Sequence, residues 1–249
     1  MMSRYISVRS MLCCLACAVA TTAYADPEPW KGPPFTTEQR THDRASFRVF
    51  HGGKIDFTMV RPQRSDARIL LAVAGTYTSR EDTAEGHIID HGTVRGDSCI
   101  YSCRSWNAVA YFESGYVRIE RNSGEELVRS GNIATMIQVK GSLIQGHLLV
   151  EHGVPIRGYA RSRTFHRRAL VTHRAGYDVP DIIESVQPFA SLSDFAEHLA
   201  ALGAHEAINL DMGAWDEGWY RDPATGTIHT LGQIRTATDR QTNWIIIRK

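Results

Sequence analysis

The sequence predicts an α/β fold of the mixed α+β kind: a single strand-rich domain with a mixed β-sheet core and few helices. Three observations carry that reading. Short apolar or alternating runs recur from Ser46 to the C-terminus, several of them closed by a Gly-containing turn. One amphipathic helix beginning at Ser191 passes straight into the apolar run Ala207–Leu210. No internal repeat or low-complexity tract divides the chain.

Residues 1–25 read as a secretory signal peptide. Arg4 and Arg9 make a positive start, Met11 to Ala20 is apolar but too short to span a bilayer comfortably, and Ala23-Tyr24-Ala25 is an A-x-A cleavage site, so the mature chain begins at Asp26. The alternative is a lipid anchor at Cys17, but the A-x-A site lies further on. No later segment is apolar for long enough to cross a membrane. The expected location is therefore exported, periplasmic or secreted.

Residues 26–45 are Pro-rich and polar and read as an extended N-terminal arm, which leaves 46–249 as the folded domain. Lys54 to Val60 alternates as a strand does, and Ile69 to Ala74 is a continuous apolar run, as expected of a strand covered on both faces. His87 to Val94 carries a turn at Gly92. Asn107–Phe112 and Tyr116–Glu120 form a hairpin through Ser114-Gly115. Thr135–Val139, Leu148–Glu151 (with His152-Gly153 as a turn) and Ala169–Thr172 add strands. In the helix, Ser191 is the cap and Asp194 stands three residues on. Leu192, Phe195, Ala196, Leu199 and Leu202 share one face, and Gly203 suits the position past the end. Trp244–Ile247 is the last strand.

The formal charge is +1, from 28 basic and 27 acidic residues. Cleavage removes Arg4 and Arg9 and no acid, so the mature chain is slightly acidic, which argues against nucleic acid as a partner. Of five cysteines, only Cys99 and Cys103 survive cleavage. In an oxidising compartment such a pair forms a disulfide. A zinc site would need two further ligands, which no second Cys pair or close His pair supplies.

The stretch Ala207–Asp222, AINLDMGAWDEGWYRD, carries most of the chemistry. An apolar run through Asn209 ends on Asp211, and Trp215, Asp216, Glu217, Trp219, Tyr220 and Arg221 follow. Carboxylates for proton transfer and rings to stack on a sugar face point to carbohydrate. The plain alternative is a buried strand, a polar turn and a second strand. A second cluster, Arg161-Ser162-Arg163-Thr164-Phe165-His166-Arg167-Arg168, runs directly into an apolar strand. It reads as an anion grip built from Arg163, Arg167 and Arg168, with His166 placed to shuttle protons. The alternative is a solvated charge run. Ala74 to Gly86 leaves the strongest strand rich in hydroxyls and acids, with Thr76 facing a polar pocket or the surface. Eleven histidines show no H-E-x-x-H or comparable spacing, so no metal site is expected. No G-x-S-x-G supports a serine nucleophile.

In order, these segments resemble the phosphodiester glycosidase domain family over roughly residues 50–248. The resemblance rests on Leu71–Tyr77 (LAVAGTY), Leu148–Pro155 (LLVEHGVP), Arg167-Arg168-Ala169-Leu170 in place of an R-T-A-I segment, and Leu202-Gly203-Ala204 through Asn209-Leu210-Asp211. Met212-Gly213-Ala214 stands where the family has a glycine triplet, and Arg168 where it has Thr. The resemblance implies hydrolysis between a sugar's anomeric carbon and a phosphodiester oxygen, on a carbohydrate or glycan-phosphate substrate, with no cofactor assigned and the cation requirement open. On that basis Asp211 activates water or attacks the anomeric carbon, with Asp216 or Glu217 as partner. Arg163, Arg167 and Arg168 stabilise the departing phosphate, Trp215 or Trp219 stacks on the sugar, and Asn209, Arg221 and Thr76 complete the binding set. The rival class is a non-catalytic glycan-binding module, favoured by the altered glycine triplet. A weaker rival is an ordinary glycosidase, for which the arginines would be surplus.

Overall fold

The computed structural model describes residues 30–96, 106–161, 164–232 and 235–249. In chain order its strands are β1 (Thr36–His42), β2 (Ala45–His51), β3 (Lys54–Thr58), β4 (Ile69–Ala74), β5 (Ile88–Asp90), β6 (Thr93–Gly96), β7 (Ala108–Glu113), β8 (Tyr116–Arg121), β9 (Ser142–Gly146), β10 (Leu148–Glu151), β11 (Val154–Pro155), β12 (Arg168–Thr172), β13 (Asp181–Ser185), β14 (Glu206–Leu210), β15 (Trp219–Arg221), β16 (Ile228–Thr230) and β17 (Trp244–Arg248). The helices are α1 (Gly124–Arg129), α2 (Asn132–Gln138) and α3 (Leu192–Ala201).

The strands form three sheets, ordered β1-β2-β13-β12-β14-β10-β11, β16-β15-β4-β17-β3 and β6-β5-β9-β7-β8. The strand-rich α+β domain with few helices is therefore as predicted. The pairing is not mixed, however. Every paired strand runs antiparallel to its neighbours, including β14 against β12 and β10. Helix α3 feeds β14 but does not build a parallel crossover.

Alternation along the seven-stranded sheet divides its side chains between two cores. Phe50, Leu148, Leu170, Ile182, Ile208 and Leu210 face inward, against Phe57, Leu71, Val73 and Ile245 of the second sheet and Ala110, Phe112 and Ile144 of the third. Val49, Leu149, Ala169, Val171, Ile183 and Ala207 face outward and are covered by Phe195, Ala196 and Leu199 of α3. Ser191 caps α3 by accepting from the Asp194 amide (3.0 Å), and Gly203 closes it with φ +92. Full burial of Phe195 and Leu199 contributes about 1.5–3 kcal/mol each.

Two readings change. Thr135–Val139 is the end of helix α2 and its cap, not a strand. Ile133 and Met136, three residues apart, turn inward, while Ile137 and Val139 stay exposed. That is the helical period, disguised by β-branched composition over a short window. The N-terminal arm is also partly structured, since Thr36–His42 pairs along its whole length with β2. Among the described residues, no helix is long and apolar enough to cross a membrane.

Candidate active site

The site forms where β4 and β14, from different sheets, end side by side. The Asp211 amide donates to the Gly75 carbonyl (2.9 Å), and the Asn209 amide to the His147 carbonyl (2.9 Å). The buried Asn243 clamps the turn after β4: its Oδ1 accepts from the Thr76 amide (2.8 Å) and its Nδ2 donates to the Thr76 carbonyl (3.0 Å). The Thr76 hydroxyl donates to the Gln145 carbonyl (2.9 Å) and is buried. Thr76 thus shapes the turn and presents nothing to a ligand. What the clamp aims into the site is the next residue, Tyr77.

The arginines part company at the edge of β12. Arg168 pairs with Leu210 in register and Ala169 with Asn209. The ladder ends at Arg168 and Leu210; alternation puts Arg167 on the face of Ala169 and Asn209, and the Tyr77 phenol is within electrostatic reach of both Arg167 and Asp211. Arg168 is on the other face with no solvent exposure. Its guanidinium donates to both Asp216 oxygens (2.9 Å each) and, through Nε, to Glu184 Oε2 (3.0 Å). Those bonds leave Arg168 unavailable to a phosphate. Arg167 is held by its backbone: its amide donates to Ser185 Oγ (2.7 Å) and its carbonyl accepts from the Ser185 amide (2.8 Å). Its guanidinium lies 5.2 Å from the centroid of the Phe165 ring, and the buried Nε has no acceptor among the described residues.

Aromatic rings wall the space beside Arg167 and Asn209. Tyr77 lies 5.0 Å from Trp106 and 6.0 Å from His147, centroid to centroid, and Tyr159 is 5.6 Å from His147. Asn209 Nδ2 donates to the Tyr77 hydroxyl, which keeps its own proton free to donate. Burial, then the nearby Asp211 carboxylate, pushes the Tyr77 pKa up, so the phenol is neutral at any physiological pH. Burial pushes Tyr159 up to about 12. Burial, then Arg167, pushes His147 down, so its imidazole is neutral. Burial also lowers Arg167, without bringing a guanidinium near deprotonation. Four buried polar atoms here make no hydrogen bond among the described residues: Trp106 Nε1, His147 Nδ1, Arg167 Nε and Asn209 Oδ1. Buried polar atoms are nearly always paired, so such a concentration leaves donors and acceptors for ordered water or a polar ligand.

Asp211 closes the site. Burial, followed by repulsion from Asp216, raises its pKa to about 7, against the pull of the Met212 and Thr78 amides and of Arg168. At neutral pH both protonation states are populated, as a general acid or base requires.

Several other predicted residues are engaged elsewhere. Asp216 is buried in its pair with Arg168. The Glu217 carboxylate lies 3.3 Å from Arg61, and its amide donates to Gln241. Trp219 is a buried core residue with Trp244 and Ile246. The face of Trp215 is covered by the Arg240 guanidinium at 4.0 Å. Arg221 staples loops through the carbonyls of Ile69, Gly226 and Arg64. His166 Nδ1 meets the Ser185 carbonyl at 3.4 Å. Of the predicted set, Arg167, Asn209 and Asp211 each act on Tyr77. Arg163, Cys99 and Cys103 lie outside the described residues, as do residues 1–25, where a signal peptide is expected. Sequence reasoning missed Tyr77, Trp106, His147 and Tyr159. The first and third had a signal, since each borders a recognised apolar strand: Tyr77 beyond β4 and His147 before β10.

Comparison with protein-family profiles and with curated protein sequences gives no match. Among solved structures, the chain is similar to the catalytic domain of zebrafish N-acetylglucosamine-1-phosphodiester alpha-N-acetylglucosaminidase, auto-inhibited by its pro-peptide, with a TM-score of 0.54 and 13% identity over 90% of this chain and 85% of that one. A hypothetical protein from Synechocystis aligns with a TM-score of 0.48 and 16% identity, covering 87% of this chain and 64% of that one. The zebrafish likeness shows a shared fold.

Proposed function

We propose that this chain is an exported hydrolase that cleaves a sugar-1-phosphodiester at the bond between the anomeric carbon and the phosphate oxygen. The observation that carries the reading is that Tyr77 lies within electrostatic reach of both Arg167 and Asp211, beside four buried polar atoms without a partner among the described residues. The zebrafish structural neighbour acts on a linkage of this class by its name, and the fold is shared at low identity.

In this reading Arg167 and the Trp106 indole N–H hold the phosphate, whose departure as a stabilised anion calls for charge more than for a strong acid. Asp211, with a pKa at about 7, takes the proton of the attacking water. The Tyr77 hydroxyl and Asn209 orient the sugar. Purified protein incubated with a panel of sugar-1-phosphodiesters should release phosphomonoester, and Asp211→Asn should abolish release while the protein stays folded. Unchanged turnover in that variant overturns the assignment.

A second reading is favoured by one specific observation. Glycoside hydrolysis ordinarily uses two carboxylates, and Asp216 and Glu217 are both committed to arginines, so Asp211 stands alone among the predicted acids. A glycan-binding module that keeps the anion grip without turnover fits that geometry. Binding of the same panel without phosphomonoester release selects it.

A further inference from the structure

At the other end of β14 lies a cluster that the proposed chemistry does not use. Strands β10 and β11 are joined by His152 and Gly153, with φ +51 and +78, a two-residue turn of the kind that matches strand twist. The turn is pinned to the start of β14 twice. The His152 amide donates to Glu206 Oε1 (3.1 Å), and the Gly153 amide to the His205 carbonyl (2.8 Å). His205 is anchored in turn by its own amide on the Thr172 carbonyl (2.8 Å). These contacts place His152 Nδ1 2.8 Å and His205 Nδ1 3.2 Å from Glu206 Oε1. Among the described residues, His152, His205 and Glu206 form a group whose ligand atoms all lie within 4.8 Å of one another.

The cluster is left partly unsatisfied by the described residues. Glu206 is 5% exposed, yet its Oε2 makes no hydrogen bond. His205 Nδ1 is within ion-pair reach of Glu206 but not aligned as a hydrogen bond, and it has no other partner. The fully buried Thr172 is the register partner of Glu206, and its hydroxyl is unpartnered as well. A buried carboxylate oxygen without a donor is costly, and a cation removes the cost.

We infer that His152, His205 and Glu206 bind a first-row divalent metal ion, Zn2+ by the character of the donors. Two imidazoles and a carboxylate are a common zinc set, with metal–ligand distances of about 2.0–2.2 Å, which separate neighbouring ligand atoms in a tetrahedron by about 3.3 Å. The observed separations need only small side-chain adjustments. The exposed imidazole of His152 leaves the ion reachable from solvent, with a fourth position for water. Five residues of extended strand separate Glu206 from Asp211, roughly 17 Å at about 3.3 Å per residue. The ion therefore takes no part in the chemistry at Asp211. It ties the β10–β11 turn to the central strand.

The test uses the purified protein, stripped with a chelator, titrated with ZnCl2 by calorimetry and with Co2+ by visible absorption. The wild type should take up one equivalent of Zn2+ at this site with micromolar affinity or better, gain thermal stability on binding, and give the intense visible bands of low-coordinate Co2+. His152→Asn keeps a residue that tolerates the left-handed turn, and Glu206→Gln keeps the acceptor for the His152 amide. Each should weaken Zn2+ binding by about tenfold or more and lose the Co2+ bands. Because His152 is exposed, its variant carries the test even if Glu206→Gln fails to fold. Wild-type protein that binds no Zn2+, or variants that bind it as tightly as the wild type, overturns the inference.

Discussion

Asp211→Asn should make the protein more stable in alkaline solution while it removes turnover. The folded-state pKa of Asp211 is raised from the ordinary carboxylate value of 3.8 to about 7, chiefly by burial. A raised carboxylate binds its proton more tightly in the folded state than in the unfolded one. Wild-type stability should therefore fall as pH climbs between those two values and level off above the upper one. Three units correspond to roughly 4 kcal/mol at most. Asp211 retains some solvent exposure, so screening brings the expected figure to about 2–3 kcal/mol. Asparagine keeps an oxygen for the Met212 and Thr78 amides and carries no charge. At pH 8 the variant should exceed the wild type by that amount, or roughly 5–10 °C in Tm for a domain of this size. Below pH 4 the two should coincide. Urea unfolding followed by tryptophan fluorescence at a series of pH values gives the difference curve directly. A difference independent of pH, or a variant less stable at pH 8, would refute a buried, raised carboxylate.

Arg168→Met should cost about 3–5 kcal/mol, because Asp216 and Glu184 stay buried without their cation; urea unfolding reads this, and a loss under 1 kcal/mol contradicts the buried triad. Arg167→Ala should lower Tm by only a few degrees but weaken binding of a phosphate-bearing ligand by roughly 10–100-fold, as loss of one charged hydrogen-bond donor implies. If its Tm falls as far as that of the Arg168 variant, Arg167 is structural. Trp215→Ala should leave ligand affinity unchanged, since Arg240 covers the ring, whereas Trp106→Phe should weaken it by losing the unpartnered indole donor. Titration of both variants with the same sugar phosphodiester checks the contrast.

Where a signal was local, the sequence could be read. Six consecutive apolar residues make β4 unmistakable, and the cap, face and terminal glycine of α3 all agree. Arg167, Asn209 and Asp211 were recoverable because each sits at the end of a legible strand. Which neighbour faced the site was not recoverable. Arg167 and Arg168 are equivalent as letters, and only the register of β12 against β14 separates a ligand-facing guanidinium from a buried one. Trp219 was misjudged for the same reason: its partner Ala72 lies far away in sequence, in β4, and the pairing carries the ring into the core. Tyr77, Trp106, His147 and Tyr159 come from four separate segments, and no spacing announces their meeting.

The departures from the glycosidase pattern gain a physical sense from this partition. Arg168, at the position where the resembled pattern has Thr, is housed by glycines as much as by acids. A Cβ on Gly218 would lie 3.1 Å from Arg168 Nη2 and 2.9 Å from the Leu231 Cβ, and one on Gly232 would lie 2.7 Å from Asp216 Oδ2. The ion triad and the space for it belong together, on the face of the sheet away from Arg167. Arg168 therefore does not obstruct the site. It acts across the sheet, through charge: Arg168 neutralises Asp216, and Asp211 feels what remains of that negative charge on top of its own burial. Two carboxylates five residues apart are thereby given different tasks, one paired and structural, the other raised in pKa and facing the site. The pH dependence of the Asp211→Asn difference reports on that raised carboxylate, and release of phosphomonoester separates the hydrolase from the binding module.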